Sequence, residues 1–344
     1  MITIITVYRS NNYGSFWQAK VLGDVLSKFD SVQYLNFGQR KWIDARFIYS
    51  IYRNMTKGFS VKKIRFIVDL FVQNYKMWKQ MKVVSTRMLN ENDFVVIGSD
   101  EIWNISRKNC NNPFFWGFGI RGKKISYAPS INNAPANLFN ECPTAEYLQT
   151  IKKISVRDKY SKNVLSNFTK KNIAIVLDPT LLVDVAYYQK FARYKKLPFK
   201  YIALYVFPGR NSSYQEVITA FAKEHGYKIV SIGTYLSWCD LNITARNCQN
   251  PFLYYVDADF VFANTFHGTA FAINFEKQFV SFATSQKIKE LLNTFGLENR
   301  NVMNVNYDEV LSKSKENIDY NIVNEKKKLL REESFGFIKE SIMG

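Results

Sequence analysis

The chain has 344 residues, 47% apolar and 22% charged, which supplies a sizeable core and excludes disorder as the main state. That length fits two domains, and 15 Gly with 8 Pro exclude collagen-like and low-complexity classes. The formal net charge of +18 calls for an anionic partner: nucleic acid, an anionic membrane surface or a phosphorylated substrate.

Short β-rich runs recur with helical patterns between them. In chain order they are Ile2–Tyr8, Val32–Phe37, Phe94–Gly98, Lys124–Ala128, Ile154–Val156, Ile173–Leu177, Tyr201–Phe207, Lys228–Ile232, Phe260–Ala263 and Phe279–Phe282. Several are nearly continuous rather than alternating, as in strands covered on both faces. Strand–helix alternation implies βαβ units and parallel sheets, and so many strands exceed one comfortable sheet. The expectation is an α/β protein of two Rossmann-like, doubly wound domains facing each other across a cleft. Residues 1–190 would form the first and 191–315 the second. The boundary follows Asp178-Pro179-Thr180, near the polar stretch Arg193–Lys200. Residues 316–344 read as a helical tail packing back toward the first domain, with apolar spacing at Ile318, Ile322 and Leu329-Leu330.

One segment differs in composition. Between Arg40 and Arg87 there are 12 Lys or Arg against Asp44 and Asp69. It reads as a basic helical insertion at about 40–87. Ile64, Ile67, Val68, Phe71, Tyr75 and Trp78 fall at helical spacing, with Lys62, Lys63, Arg65, Lys76, Lys79 and Lys82 mostly beside that stripe. Two readings fit: a core-packing helix with a solvated basic face, or an interfacial helix touching a membrane through 61–82.

Cys110, Cys142, Cys239 and Cys248 show no CxxC spacing, and with two His in the chain no zinc site is expected. Reduced, mostly buried thiols follow. Met1–Tyr8 lacks a basic n-region and a cleavage site, and no apolar run approaches the ~20 residues of a membrane span. A cytoplasmic protein, soluble or peripheral, is expected.

Polar and glycine residues gather just after the runs: Asn12 and Gly14, Gly98-Ser99-Asp100, Pro129-Ser130, Arg157-Asp158, Asp178, Gly209-Arg210 and Thr265–Thr269. In open parallel sheets ligands bind outside the carboxyl ends of the strands, so two facing sheets would line one cleft with these groups. His267, at a strand-to-helix turn, could carry a proton beside the free N–H groups of Gly268 and Thr269, or merely cap the helix. Arg157 could grip a carboxylate or phosphate, or pair with Asp158 or Asp178. Ser99, Asp100 and Trp103 could place a hydroxyl, a carboxylate and an indole near a sugar, or the first two could only cap a helix. No P-loop, G-x-G-x-x-G, G-x-S-x-G or metal-spaced acidic set is present.

Six ordered blocks carry a resemblance. They are Asn12-Tyr13-Gly14-Ser15-Phe16-Trp17-Gln18-Ala19, Gly98-Ser99-Asp100-Glu101-Ile102-Trp103-Asn104 and Ile125-Ser126-Tyr127-Ala128-Pro129-Ser130, then Ser155-Val156-Arg157-Asp158, Leu177-Asp178-Pro179-Thr180-Leu181-Leu182 and Thr265-Phe266-His267-Gly268-Thr269-Ala270-Phe271. In this order they resemble the polysaccharide pyruvyl transferase family. The resemblance implies a glycosyltransferase-B-like arrangement, phosphoenolpyruvate as donor, and a sugar of a bacterial capsular or exopolysaccharide as acceptor. The acceptor would be a galactose-type residue of a lipid-linked oligosaccharide, met at the inner face of the cytoplasmic membrane, and the product a cyclic pyruvate ketal. His267 would be the catalytic acid/base and Arg157 the donor grip. Some members carry Arg where this chain has Thr265. Arg210 would then supply the missing charge, with Thr265, Gly268 and Thr269 completing the donor site. Asn12, Gly14, Ser99, Asp100, Trp103 and Ser130 would face the acceptor. No cofactor, metal or nucleic-acid partner is expected. The nearest rival is a nucleotide-sugar glycosyltransferase of the same fold class.

Overall fold

The computed structural model describes residues 1–36, 48–49, 51–53, 60–86, 89–107, 112–191, 194–207, 213–303 and 305–344. Arg210, Arg193, Cys110 and most of the stretch 40–60 lie outside them.

The described residues form two parallel sheets. The first contains β1 (Ile2–Ile5), β2 (Val32–Leu35), β3 (Val83–Val84), β4 (Phe94–Ile97), β5 (Lys123–Ser126), β6 (Ile151–Val156) and β7 (Ile173–Ile175), in the order β3-β2-β1-β4-β5-β6-β7. The second contains β8 (Tyr201–Tyr205), β9 (Lys228–Ile232), β10 (Leu241–Ile243), β11 (Phe260–Ala263) and β12 (Phe279–Ser281), in the order β10-β9-β8-β11-β12. Ile2 registers with Val32 on one side and Phe94 on the other, and Phe260 with Ile202. Every residue of β1 and β8 is buried. Helices on both faces exclude water there, which is why these runs do not alternate. The strands β3 and β10, two and three residues long at the sheet edges, were not among the expected runs.

Seven helices matter here: α1 (Tyr13–Leu26), α2 (Val61–Trp78), α3 (Lys159–Leu165), α4 (Ser213–His225), α5 (Phe266–Asn274), α6 (Gln286–Phe295) and α7 (Tyr320–Met343). In α2 the inward residues are Phe66, Leu70, Phe71, Asn74, Met77 and Trp78. The expected apolar stripe is therefore split: Phe71 and Trp78 enter the core, whereas Val68 and Tyr75 face outward. In α7 the expected spacing is also rotated, because Ile322 and Leu329 are exposed while Val323 and Ile338 are buried.

The α7 helix braces both sheets. Ser334 Oγ accepts from Leu177 N at 3.0 Å, Lys153 pairs with Glu340 at 3.2 Å, and the Tyr320 hydroxyl donates to Lys277 O at 2.5 Å. Between the sheets runs one apolar cluster that draws Ile4, Tyr13 and Trp17 together with Tyr188, Tyr205, Phe252 and Phe271. Tyr188 links the halves, its ring 5.4 Å from Trp17 and 5.2 Å from Phe271.

Candidate active site

Strand order reverses between β1 and β4 in one sheet and between β8 and β11 in the other. A crevice opens beyond the carboxyl ends of the strands at such points. Here the two crevices face each other. Asn12 follows β1, and its Oδ1 accepts from Gly14 N at 2.9 Å, capping α1. The same oxygen accepts the Tyr205 hydroxyl of β8 at 2.8 Å. After β11, Thr265 Oγ1 accepts from Gly268 N at 3.0 Å and caps α5, which puts His267 in its first turn. The imidazole lies directly on Gly14: a Cβ there would come 2.1 Å from His267 Cγ. Only glycine permits that approach.

Arg157 follows β6. Asp158 beside it caps α3, its Oδ1 accepting from Ser161 N at 2.7 Å. The partner of Arg157 is Asp178, whose Oδ2 accepts from Nη1 at 2.8 Å. Asp178 is itself fixed, since Oδ1 accepts from Thr180 N and Thr180 Oγ1 at 3.0 and 2.7 Å. His267 Nε2 lies 3.8 Å from that same Asp178 Oδ2. Arg157 Nη2 is 3.7 Å from Asp100 Oδ1, and the guanidinium lies 4.1 Å above the Phe266 ring. Arg157 Nε, Arg157 Nη2 and His267 Nε2 are buried with no hydrogen-bond partner. Buried polar atoms are normally paired, so three orphans around one carboxylate mark a place built for a polar ligand. A cavity of about 290 Å³ opens beside Arg157, with Lys159, Lys289 and Glu290 in its wall.

Asp100 adopts φ 73°, a left-handed conformation rare for a residue with a side chain. Its Oδ2 accepts the Ser15 hydroxyl at 2.8 Å. Burial pushes this carboxyl up, but the charges of His267, Arg157 and Lys287, with the Ser15 hydrogen bond, outweigh it and hold it below its usual range. Burial also lowers His267 below 6.5, and Asp178 and Asp100 only partly offset it.

Sequence reasoning missed Lys287. It stands in the first turn of α6, beyond the end of β12, and pairs with Glu101. Burial brings its ammonium down to about 8, against the opposing pull of Asp100. The position after a strand was the available signal, but a lysine at a helix start reads as solvated.

The expected acceptor residues divide. Asn12, Gly14 and Asp100 lie where the two halves meet, against Tyr205, His267 and Arg157 respectively. Ser99 does not, being fully buried with its hydroxyl turned to Gln18 Oε1. Trp103 is a correction: it is fully buried, stacks on Trp116 at 4.5 Å and donates Nε1–H to Phe115 O at 2.8 Å. It packs the core and offers no face to a sugar. Ser130 is likewise buried, its Oγ accepting from Asn132 N at 2.9 Å. The N–H groups of Gly268 and Thr269 both turn back on Thr265, at 3.0 and 3.1 Å, so they are not the free donors expected for a phosphate. Arg210 lies outside the described residues.

Solved structures share the whole fold. UDP-GlcNAc 2-epimerase of Neisseria meningitidis matches with TM-score 0.52 and 11% identity, covering 99% of each chain. The epimerase of Methanocaldococcus jannaschii matches with TM-score 0.51 and 9% identity, over 97% of this chain and 99% of that one. The glycotransferase of kitacinnamycin matches with TM-score 0.51 and 10% identity, over 99% and 98%. At these identities the likeness shows the fold alone: two Rossmann-like domains in a glycosyltransferase-B-type arrangement. No curated protein matches. Polysaccharide pyruvyl transferase is the family whose pattern matches residues 12–286, a span that takes in Asn12, Asp100, Arg157, Asp178 and His267. The chain belongs to the polysaccharide pyruvyl transferase family.

Proposed function

We propose that the chain moves the pyruvyl group of phosphoenolpyruvate onto two hydroxyls of one sugar and closes a cyclic ketal. One observation carries this reading. Asp178 Oδ2 holds Arg157 Nη1 at 2.8 Å and lies 3.8 Å from His267 Nε2, while Arg157 Nε and Nη2 make no hydrogen bond. A guanidinium with two spare donors suits a carboxylate or phosphate, and an adjacent imidazole suits proton delivery. Lys287 supports a second positive charge for a trianionic donor. Arg210 is proposed to add to it, and an unchanged donor KM in Arg210→Ala would remove it from the site.

The chemistry follows from those groups. His267, protonated when the bound trianion offsets its burial, gives a proton to the methylene carbon of phosphoenolpyruvate. The neighbouring carbon becomes cationic and takes the oxygen of one sugar hydroxyl, whose proton leaves. The C–O bond to phosphate breaks, with Arg157 and Lys287 stabilising the departing anion. The second hydroxyl adds to the same carbon, and its proton leaves in turn. Ionised Asp100 accepts a hydrogen bond from an attacking hydroxyl. Packing of α1 against α5 keeps water from the cationic carbon.

The acceptor we propose is a galactose-type residue of a lipid-linked oligosaccharide in capsular or exopolysaccharide assembly. Incubation with phosphoenolpyruvate and a panel of galactosides, mannosides and lipid-linked oligosaccharides tests the reading. The expected result is phosphate release with a mass gain of one pyruvyl group, lost in His267→Ala while the fold survives. Turnover of a sugar nucleotide instead, or wild-type turnover by His267→Ala, would overturn it.

A further inference from the structure

The α2 helix has two unlike faces. Its inner face ties it to both halves of the molecule. Phe66 meets Tyr235 at 5.7 Å, Asn74 Nδ2 donates to Asn11 Oδ1 at 3.3 Å, and Asp69 pairs with Arg246 at 2.9 Å. Its outer face carries Val61, Val68, Val72 and Tyr75, which are 66%, 37%, 44% and 42% exposed. Steps of seven, four and three residues put all four on one line along a helix. Lys62, Arg65, Lys76 and Lys79 are exposed beside that line, and Lys79 Nζ sits 5.0 Å over the Tyr75 ring. The one acid of the helix, Asp69, is tied to Arg246 and does not offset them.

A merely solvated face has no use for three valines in a row, and a nucleic-acid backbone gains nothing by covering them. An apolar line bounded by cations matches a bilayer surface, where acyl chains meet anionic headgroups. No helix among the described residues is long and apolar enough to cross a membrane. We infer that the outer face of α2 docks on an anionic lipid bilayer, with Val61, Val68, Val72 and Tyr75 entering the headgroup layer. The four cations beside that line meet the lipid phosphates. The Asn74–Asn11 contact is made by the inner face of α2, so a docked molecule holds the start of α1, and with it the proposed acceptor site, about one helix diameter from the lipid surface. That last point rests on the function proposed above; the docking itself does not.

Sedimentation of the full chain with vesicles tests it. The vesicles are phosphatidylcholine alone, or equal parts phosphatidylcholine and phosphatidylglycerol. Binding to the mixed vesicles is expected, weakening with salt. A triple variant, Arg65→Glu with Lys76→Glu and Lys79→Glu, should bind weaker by on the order of 100-fold. Val68→Ser with Val72→Ser should lose roughly tenfold. All five positions are exposed, so unchanged thermal unfolding of both variants is the control for folding. Failure of the wild type to bind mixed vesicles would overturn the inference, as would triple-variant binding equal to wild type. Unchanged binding by the valine variant, which would mean attraction by net charge alone, counts against it equally. Capture of duplex DNA by the same three cations without vesicle binding would replace it with a nucleic-acid surface. Because sedimentation reads no turnover, a protein inactive toward phosphoenolpyruvate leaves this result standing.

Discussion

Replacing Gly14 by alanine puts the contact between the two halves of the site under direct test. A Cβ at Gly14 falls 2.1 Å from His267 Cγ, 2.3 Å from Nδ1 and 2.4 Å from Cβ, where ordinary contact begins near 3.4 Å. Turning the ring cannot relieve this, since the His267 Cβ is itself too close. The start of α5 must part from α1 by roughly 1 Å, a displacement that costs about 100-fold in rate when it misplaces a reacting group. Alanine is also the better helix former, by about 1 kcal/mol, so the fold gains locally what the contact loses. The expected result is a kcat for phosphate release lower by about 100-fold, with thermal unfolding close to wild type. Gly336→Ala in α7 is the control: nothing lies within 4 Å of its Cβ position, so activity should hold. A Gly14→Ala enzyme that folds and turns over within about threefold of wild type would refute the placement of His267 against α1 in the working state.

Four further outcomes are expected. His267 must be protonated to deliver its proton, and burial holds it below 6.5 in the free protein, so kcat/KM for the donor should fall as pH rises through a value below 6.5. The bound trianion favours the imidazolium, so the matching limb in kcat should lie at higher pH; coincident limbs would remove His267 as the acid. Lys287→Met should raise the donor KM by roughly 10- to 100-fold with a smaller change in kcat, and an unchanged KM would take Lys287 out of the donor site. Asp178→Asn removes a charge that raises the His267 pKa, so the kcat limb should move to lower pH as the rate drops; an unmoved limb would leave Asp178 a structural residue. Trp103→Ala should cost about 3–5 kcal/mol in denaturant unfolding and leave the acceptor KM of the folded fraction unchanged.

The strands were legible because long apolar runs survive burial on both faces. The short edges β3 and β10 were not, since two or three residues carry no period. A stripe of apolar spacing does not say which side meets the core, so it grouped Phe71 and Trp78, which enter the core, with Val68 and Tyr75, which face outward. The indole of Trp103 has the same sequence context whether it stacks on a sugar or, as here, on Trp116. Arg157 pairs with Asp178, one of the partners the sequence offered, and leaves Nε and Nη2 without a hydrogen bond, so the pairing does not displace the ligand-grip reading. Lys287 was invisible because its burial depends on how the second sheet meets Glu101 of the first. Juxtapositions between halves of a chain leave no local trace.

The apolar cluster running from Ile4 and Trp17 through Tyr188 to Phe271 makes the two sheets thermodynamic partners. Heat applied to either half strips cover from the other, so calorimetry should record one cooperative endotherm rather than two. A cavity cut at Tyr188 would then lower the melting point of the entire molecule, and evolution of one lobe is constrained by the packing of its neighbour.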